Sequence, residues 1–434
     1  MFSVFRNRSY RHLFLAQVIA LVGTGLATVA LGLLAFDLAG DKAGTVLGTA
    51  LAIKMIAYIG VAPIASAFAE RLPRRATLVS LDLVRAAVAI SLPFVTQIWQ
   101  IYILIFVLQS ASAAFTPTFQ ATIPDVLPEE EEYTKALSLS RLAYDLESVV
   151  SPMLAAALVS VISFHMLFAG TSIGFIGSAL LVVSVVLPKA KLSPPRGIYY
   201  RTTKGIQAYL ATPRLRGLLA LNLAVAAASA MVIVNTVVYV QAKFGLTQTQ
   251  TAWALAAFGG GSMAAAFILP GLLKSIPDRT AMLSGASALV IGLFAGSAVG
   301  SYAWLLVLWV LLGIGYSLTQ TPSGRLLRRS SSAEDRPSLF AAQFALSHAC
   351  WLITYPVAGW LGARIGLPAT FAVLGVIALV AVIAAAKLWP KDDPEQVEHV
   401  HADLDDGHEH LAGGGKRHRH HYVIDDYHRH WPRP

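Results

Sequence analysis

Histidine is concentrated at the carboxyl end of this sequence. Nine of its twelve histidines lie in the last thirty-six residues, many of them two positions apart and interleaved with aspartates and glutamates. Neutral imidazole is a borderline nitrogen donor that suits Ni²⁺, Zn²⁺, Cu²⁺ and Co²⁺, and carboxylates add oxygen donors. The alternative is a solvated tail whose histidines bind nothing. We expect a metal-binding tail whose ligands are His399, His401, His408, His410, His418, His420, His421, His428 and His430.

The rest of the chain is strongly apolar. Of its 434 residues, 56% are hydrophobic and 13% are charged, whereas soluble domains carry about 25% charged residues. The mean hydropathy is +0.62. These values predict an integral membrane protein surrounded by a lipid bilayer. The single cysteine, Cys350, excludes a disulfide framework and a thiolate zinc site.

Twelve apolar runs are long enough to cross a bilayer, which takes about 20 residues of helix. The first of them is longer than the core of a signal peptide, about 7–15 residues, so we expect it to remain as a membrane helix. The sequence therefore predicts an all-α membrane protein with spans at roughly 11–38, 44–69, 76–97, 99–121, 136–160, 165–187, 215–242, 249–274, 280–300, 302–324, 338–362 and 367–389.

Basic residues indicate how these spans are oriented. Lys and Arg are concentrated in the loops on one side, and the other side receives Lys42, Lys243 and Arg364. Loops rich in Lys and Arg face the cytoplasm, so we expect a multi-pass protein of the inner (plasma) membrane with both termini cytoplasmic. The net charge of +9 then reflects membrane topology, and no nucleic-acid partner is expected.

The two halves of the chain resemble each other at an offset of about 204 residues. Three features recur in register: Leu72–Arg75 corresponds to Ile276–Arg279, Thr116–Pro117 to Thr321–Pro322, and Pro152 to Pro356. Duplicated six-helix halves around an axis along the membrane normal are typical of secondary transporters, which hold their substrate between the halves. We expect an N-terminal bundle (1–187), a cytoplasmic linker (188–214), a C-terminal bundle (215–390) and a disordered cytoplasmic tail (391–434).

Two loops carry a family resemblance. Residues 66–75, Ser-Ala-Phe-Ala-Glu-Arg-Leu-Pro-Arg-Arg, resemble the G-x-x-x-D-R-x-G-R-R signature of the major facilitator superfamily, with Ser66, Glu70 and Pro73 replacing signature residues. Residues 121–129 and 151–152 resemble a signature of the drug-and-siderophore exporter branch. With the His-rich tail added, the chain resembles the nickel-resistance exporters of that branch. The resemblance covers 1–390 and implies the major facilitator fold, with a gating latch at Glu70, Arg71, Arg74 and Arg75.

Ionisable residues inside the spans are further candidates, because each costs about 2.5–3.5 kcal/mol to insert. Asp82 and Arg85 share a helical face, and we expect them to pair with each other or with the neighbouring loop as part of the gate. The candidates for substrate binding or proton coupling are Glu147, His348, Asp145, Arg141 and Lys54.

These five residues carry different alternatives. Arg141 and Asp145 are four apart, so they can form a neutralised pair. In the family that the chain resembles, this region of the fifth helix stabilises one access state, which implies a proton-sensitive switch as the alternative. Glu147 has no cationic partner one turn away on its own helix and calls for a metal ion or a proton. His348 is either a ligand or a hydrogen-bonded core residue, and Lys54 neutralises a carboxylate or repels a bound cation.

Together these features predict an exporter of divalent transition metals driven by proton antiport, with nickel favoured over cobalt or zinc. Metal would bind some of Glu147, His348 and Asp145, and protons would compete with it there. The tail would be an accessory that concentrates metal. No catalytic signature or phosphate-binding loop occurs, so we expect a non-enzymatic protein that uses no cofactor and draws its energy from a proton gradient. We also expect it to be a monomer.

Three alternatives remain open from the sequence. The first is an exporter of organic drugs or siderophores, which keeps the architecture and changes the cargo. The second is a membrane-anchored metal buffer or sensor that transports nothing. The third is an importer, because the gradients set the direction of transport. The ligand preferences of the tail do not distinguish among metals, since copper binds such sites most tightly.

Overall fold

The computed structural model describes residues 2–39, 43–69, 72–159, 161–188, 198–394, 396–400, 417–425, 427–428 and 430–431. The first half contains six long helices: α1 (Arg8–Ala39), α2 (Ala43–Ala69), α3 (Arg74–Ser91), α4 (Ile98–Val126), α5 (Glu130–Val159) and α6 (His165–Val183). A further helix, α7 (Ile198–Ala211), lies in the linker.

The second half repeats this plan. Its long helices are α8 (Pro213–Val237), α9 (Gln248–Leu272), α10 (Asp278–Gly296), α11 (Tyr302–Gln320), α13 (Arg336–Ile365) and α14 (Leu367–Leu388), and the short α12 (Ser323–Arg329) precedes α13. Proline lacks the N–H that a helix needs, and α11 ends just before Pro322. Short 3₁₀ segments at Phe2–Arg6 and Leu92–Phe94 and a π-helical turn at Val238–Lys243 complete the helical elements of the described chain.

Ten of the twelve long helices are long and apolar enough to cross a membrane by length and composition. The other two are α5 and α13, which contain the polar residues of the candidate site, among them Arg141, Asp145, Glu147 and His348. The predicted twelve-helix layout is confirmed.

Helix pairing repeats from one half to the other. In the first half α1 packs on α6, α2 on α4 and α3 on α6; in the second half α8 packs on α14, α9 on α11 and α10 on α14. The halves meet through α2 with α13 and through α5 with α9, which are equivalent pairs under the same repeat. Each half therefore has its own core, and the interface between the halves is the place where a transported molecule can bind.

The tail contains structure that the sequence did not predict. Strand β1 (Gln396–Val400) pairs with β2 (Arg417–His421) in an antiparallel hairpin, with His399 opposite His418. The prediction of a disordered tail is therefore wrong for these two segments. The two strands pair through backbone hydrogen bonds, which form whether or not the side chains are apolar.

Close packing of α9 on α11 depends on a glycine. A Cβ atom at Gly261 would lie 2.2 Å from the carbonyl oxygen of Val310, whereas one at Gly260 would meet nothing within 4 Å. Small residues allow helix backbones to approach closely in membranes.

We predict that Gly261→Ala lowers stability by about 1–3 kcal/mol, because overpacking forces the helices apart. Gly260→Ala, one residue away and exposed, should leave stability unchanged or slightly raised. Thermal unfolding in detergent can be followed with a thiol-reactive dye, because the single cysteine, Cys350, is buried. Equal melting temperatures for the two variants would contradict this packing.

Candidate functional site

One carboxylate joins the two halves at the end of the bundle that carries both termini. Asp125, near the end of α4, accepts a hydrogen bond from Arg74 of α3 at 2.5 Å and another from Arg336 at the start of α13. The side chains of Arg74 and Arg336 are 5% and 11% exposed. Because Arg336 belongs to the second half, this cluster fastens the halves together.

A second layer of contacts surrounds the Asp125 cluster. Arg325 of α12 pairs with Glu130 of α5 and donates to the Thr134 hydroxyl at 2.8 Å. Lys274 pairs with Glu131 at 2.9 Å. Hydrogen bonds from Lys135 and Lys274 lower the pKa of Glu131 to about 2, so this carboxylate is charged at neutral pH.

Among the described residues, every ion pair that joins one half to the other lies at this end. The structure is therefore closed on the side of the termini. We call the contacts of Asp125, Arg74, Arg336, Glu130 and Arg325 the gate.

The predicted gating residues fall into three groups. Arg74 contributes to the gate, and Arg75 is exposed. Asp82 and Arg85 pair with each other, and the Ser178 hydroxyl donates to Asp82 at 2.8 Å. They lie inside the first half, so they stabilise that half without joining it to the other. Glu70 and Arg71 lie outside the described residues.

Closer to the middle of the membrane, α5 carries a charged pair that reaches the other half. Arg141 and Asp145 form an ion pair along the helix. The guanidinium carbon of Arg141 also lies 4.6 Å from the ring centre of Tyr316 on α11. The pair is therefore neutralised internally, and it contacts the second half through an aromatic ring.

Glu147 occupies a different face of α5. The helix α1 passes directly beside it, because a Cβ atom at Gly25 would lie 2.9 Å from Glu147 Oε1. The charge of Lys54 on α2 acts on Glu147 and on His348 of α13. The side chains of Lys54, Glu147 and His348 are all half-buried.

His348 lies in an aromatic cluster between the halves. Its Nδ1 donates to the Phe344 carbonyl oxygen at 2.7 Å, so Nε2 is the nitrogen left to accept a proton or a ligand. The His348 ring packs edge-on against Tyr58 of α2 at 4.8 Å and lies 4.2 Å from Phe344 and 5.7 Å from Trp351. The site therefore combines flat aromatic surfaces with few charges.

In the part of the chain that the structure describes, Glu147, His348 and Asp145 do not form a group with metal-compatible spacing. Among the described residues, the group of three or more His, Cys, Asp or Glu side chains with metal-compatible spacing lies in the tail, at His399, His418 and His420. Asp145 is committed to Arg141, and Glu147 and His348 join no such group. Zinc and related ions need three or four converging ligands, and these three residues do not supply them.

The predicted tail ligands are distributed unevenly. His399, His418, His420 and His428 approach one another, whereas His430 is exposed. Burial raises the pKa of Tyr422 to about 12, and its hydroxyl donates to the His430 carbonyl oxygen at 2.7 Å. His401, His408 and His410 lie outside the described residues, as does the side chain of His421.

Sequence reasoning did not identify Arg336, Tyr58 or Tyr316 as members of these sites. Arg336 was a loop base among many, and its partner Asp125 lies 211 positions away. The aromatic residues gave no signal, because aromatic side chains are common in membrane helices.

Comparisons with known proteins agree with this architecture. The sequence profile of the Major Facilitator Superfamily matches residues 13–213 and 218–418 of this chain. YfiS of Bacillus subtilis (strain 168), an uncharacterised MFS-type transporter, is 22% identical over 398 residues, which cover 86% of this chain and 92% of that protein.

Macrolide efflux protein A of Streptococcus pyogenes is 28% identical over 153 residues, which cover 33% of this chain and 38% of that protein. The crystal structure of the human organic anion transporter MFSD10 (TETRAN) superposes with a TM-score of 0.77 at 13% identity, covering 87% of this chain and 99% of that one. At this identity the match shows the fold alone.

We predict that Asp125→Asn opens the gate, because it leaves two largely buried arginines without their shared counter-charge. Removing one partner from a buried ion pair costs about 3–5 kcal/mol. Lys274→Ala should have little effect, because exposed pairs contribute about 0–1 kcal/mol. Hydrogen exchange measured by mass spectrometry should rise in 127–135 and 323–336 for the first variant and not for the second. Unchanged exchange in Asp125→Asn would show that this cluster does not hold the halves together.

Proposed function

The chain belongs to the major facilitator superfamily, and we propose that it exports an organic compound by proton-driven alternating access. The observation that supports an organic cargo is the aromatic cluster of Tyr58, Phe344, His348 and Trp351 at the interface between the halves. Ligand sites for organic molecules are mostly apolar and aromatic, with a few placed polar groups. The efflux of macrolides, for which a partly matching relative is named, favours the same cargo class.

We propose that both termini are cytoplasmic and that the protein lies in the inner membrane as a monomer. The basic loops support this orientation. With it, the gate closes the cytoplasmic side, and the structure corresponds to the stage at which cargo leaves and protons enter from outside. Rocking of the halves would then break the gate and expose the site to the cytoplasm.

Glu147 is the proposed proton carrier. Asp82 and Asp145 are each paired with an arginine one turn away, whereas Glu147 depends on the more distant Lys54. A weakly compensated carboxylate in a low-dielectric site gains most from protonation. Protonation of Glu147 from the outer side would remove the negative charge that balances Lys54, and it would weaken the binding of a cationic cargo. Deprotonation on the inner side would restore the site.

Export of transition-metal ions is the second candidate. The observation that favours it is the histidine group of the tail, at His399, His418 and His420. Metal export requires the ion to pass through the interface between the halves, where Glu147, His348 and Asp145 do not converge. A tail that only buffers or senses metal would need no such path. Direction follows the gradients, and export is proposed because an inward proton gradient drives an antiporter's cargo outward.

Glu147→Gln should abolish transport driven by a pH gradient while preserving exchange of cargo across the membrane at equal pH. The amide keeps the size and polarity of the side chain but cannot carry a proton at neutral pH. Glu129→Gln, which changes an exposed carboxylate just before α5, should leave both activities unchanged. The assay uses proteoliposomes with an imposed pH gradient. Full gradient-driven transport by Glu147→Gln would remove this residue from the coupling step.

The cargo class can be decided in the same proteoliposomes. We expect a pH gradient to drive movement of a fluorescent organic dye, with no accumulation of Ni²⁺, Co²⁺, Zn²⁺, Cu²⁺ or Mn²⁺. The physical reason is that the interface between the halves offers aromatic surfaces, and its described residues do not form a converging set of metal ligands. Gradient-driven accumulation of any of these ions, lost in Glu147→Gln and His348→Ala, would establish the metal exporter instead.

A further inference from the structure

The tail hairpin brings particular histidines to one face. His399 of β1 lies opposite His418 of β2, and His420 is two residues further along β2. Side chains two apart on a strand point to the same side. The metal-binding nitrogens of His399, His418 and His420 all lie within 4.8 Å of one another.

A fourth histidine reaches the same point from the segment that follows β2. The Nε2 atom of His428 lies 3.0 Å from the Nε2 atom of His399. The His428 ring centre is 4.8 Å from that of His399 and 5.1 Å from that of His420. The side chain of His428 is 1% exposed, so it lies inside the folded tail.

Hydrogen bonds at the opposite ring nitrogens fix which atoms meet. His399 Nδ1 lies 3.0 Å from the carbonyl oxygen of Val397, which can only accept, so this nitrogen carries a proton. His428 Nδ1 lies 2.9 Å from Asp425 Oδ1, and a carboxylate likewise accepts. In the neutral rings both Nε2 atoms are therefore acceptors, and two lone pairs face each other at 3.0 Å.

Two facing lone pairs repel each other unless a proton or a metal ion lies between the two nitrogens. Metal-binding histidines commonly donate their second ring N–H to a carboxylate or a carbonyl oxygen, which orients the ring and raises its basicity. Both forms occur here, at Asp425 and at Val397. In a tetrahedral site with zinc–nitrogen distances of about 2.0–2.1 Å, neighbouring ligand nitrogens are roughly 3.3 Å apart. The Nε2 atoms of His399 and His428 are 3.0 Å apart, which is close to this value.

We propose that His399, His418, His420 and His428 form one closed site for a borderline divalent transition-metal ion, with Asp425 as the carboxylate that orients His428. This assigns four of the nine tail histidines to one site. This inference does not depend on the transported cargo, because the hairpin lies outside the membrane helices.

The site lies against the body of the protein. Asp393, three residues before β1, pairs with Arg329 of α12 and accepts from Trp389 Nε1 at 3.0 Å. Beyond the hairpin, the ring of Trp431 lies 4.9 Å from the guanidinium carbon of Arg214. Both ends of the metal-binding segment are thus attached beside the gate, and a bound ion would close the segment into a loop fixed at that place.

The test uses the full-length protein, purified in detergent with an affinity tag that contains no histidine. Zn²⁺ affinity is measured by competition with a chromophoric chelator, and Co²⁺ absorption reports coordination geometry. We expect one tightly bound ion per chain and a tetrahedral Co²⁺ spectrum. Several weak ions with an octahedral spectrum would overturn the proposal.

Variants separate this site from diffuse binding by a histidine-rich segment. The double variant His399→Ala/His428→Ala should lose the tight ion, and Asp425→Asn, which keeps every histidine, should weaken it by about 10–100-fold. The matched control His408→Ala/His410→Ala removes two tail histidines that are not among the four proposed ligands, and it should keep full affinity. Equal losses in both double variants, or no effect of Asp425→Asn, would refute an ordered four-histidine site. Because transport is not the readout, a failure here leaves the proposed function standing.

Discussion

The low dielectric of the bilayer governs the arrangement of charge in this protein. A charged side chain within a membrane helix is retained only if it is paired or has a function. Asp82 with Arg85 and Arg141 with Asp145 meet this requirement within one helical turn. Glu147 does not, and its electrostatic partner Lys54 belongs to another helix. The same constraint therefore leaves two paired sites in the first half and a third, at Glu147, for which we propose proton uptake.

The gate applies this constraint to a movable interface. Asp125 satisfies Arg74 within its own half and Arg336 across the boundary, so separating the halves leaves a largely buried arginine without its counter-charge. Water entering the opened interface would solvate these groups and offset much of the cost. Such an element has two states: dry and paired, or wet and separated. This is what alternating access requires of one end of the bundle, while the cores of the two halves stay intact.

The sequence predicted the local features well, because they depend on spacing along one helix or on composition. The twelve helices followed from apolar length, and both intrahelical ion pairs followed from separations of three and four residues. The contacts of Asp125 with Arg336 and of His348 with Tyr58 could not be predicted, since they depend on how separate helices pack. The hairpin was missed for another reason. Its strands are polar, so the period-two pattern of β1 and β2 carried no hydrophobic signal.

The tail and the membrane core differ in their chemistry. The histidine content of the tail therefore does not determine which cargo the membrane core binds. A metal path needs several converging donors at mid-depth, and among the described residues such donors converge only in the tail. The interface between the halves instead carries an aromatic cluster, whose surfaces suit a flat or amphipathic organic molecule. The two regions are joined mechanically, since α12 carries Arg329, which holds the tail through Asp393, and Arg325, which holds the gate through Glu130. The hairpin and the gate are therefore connected through one short helix, α12.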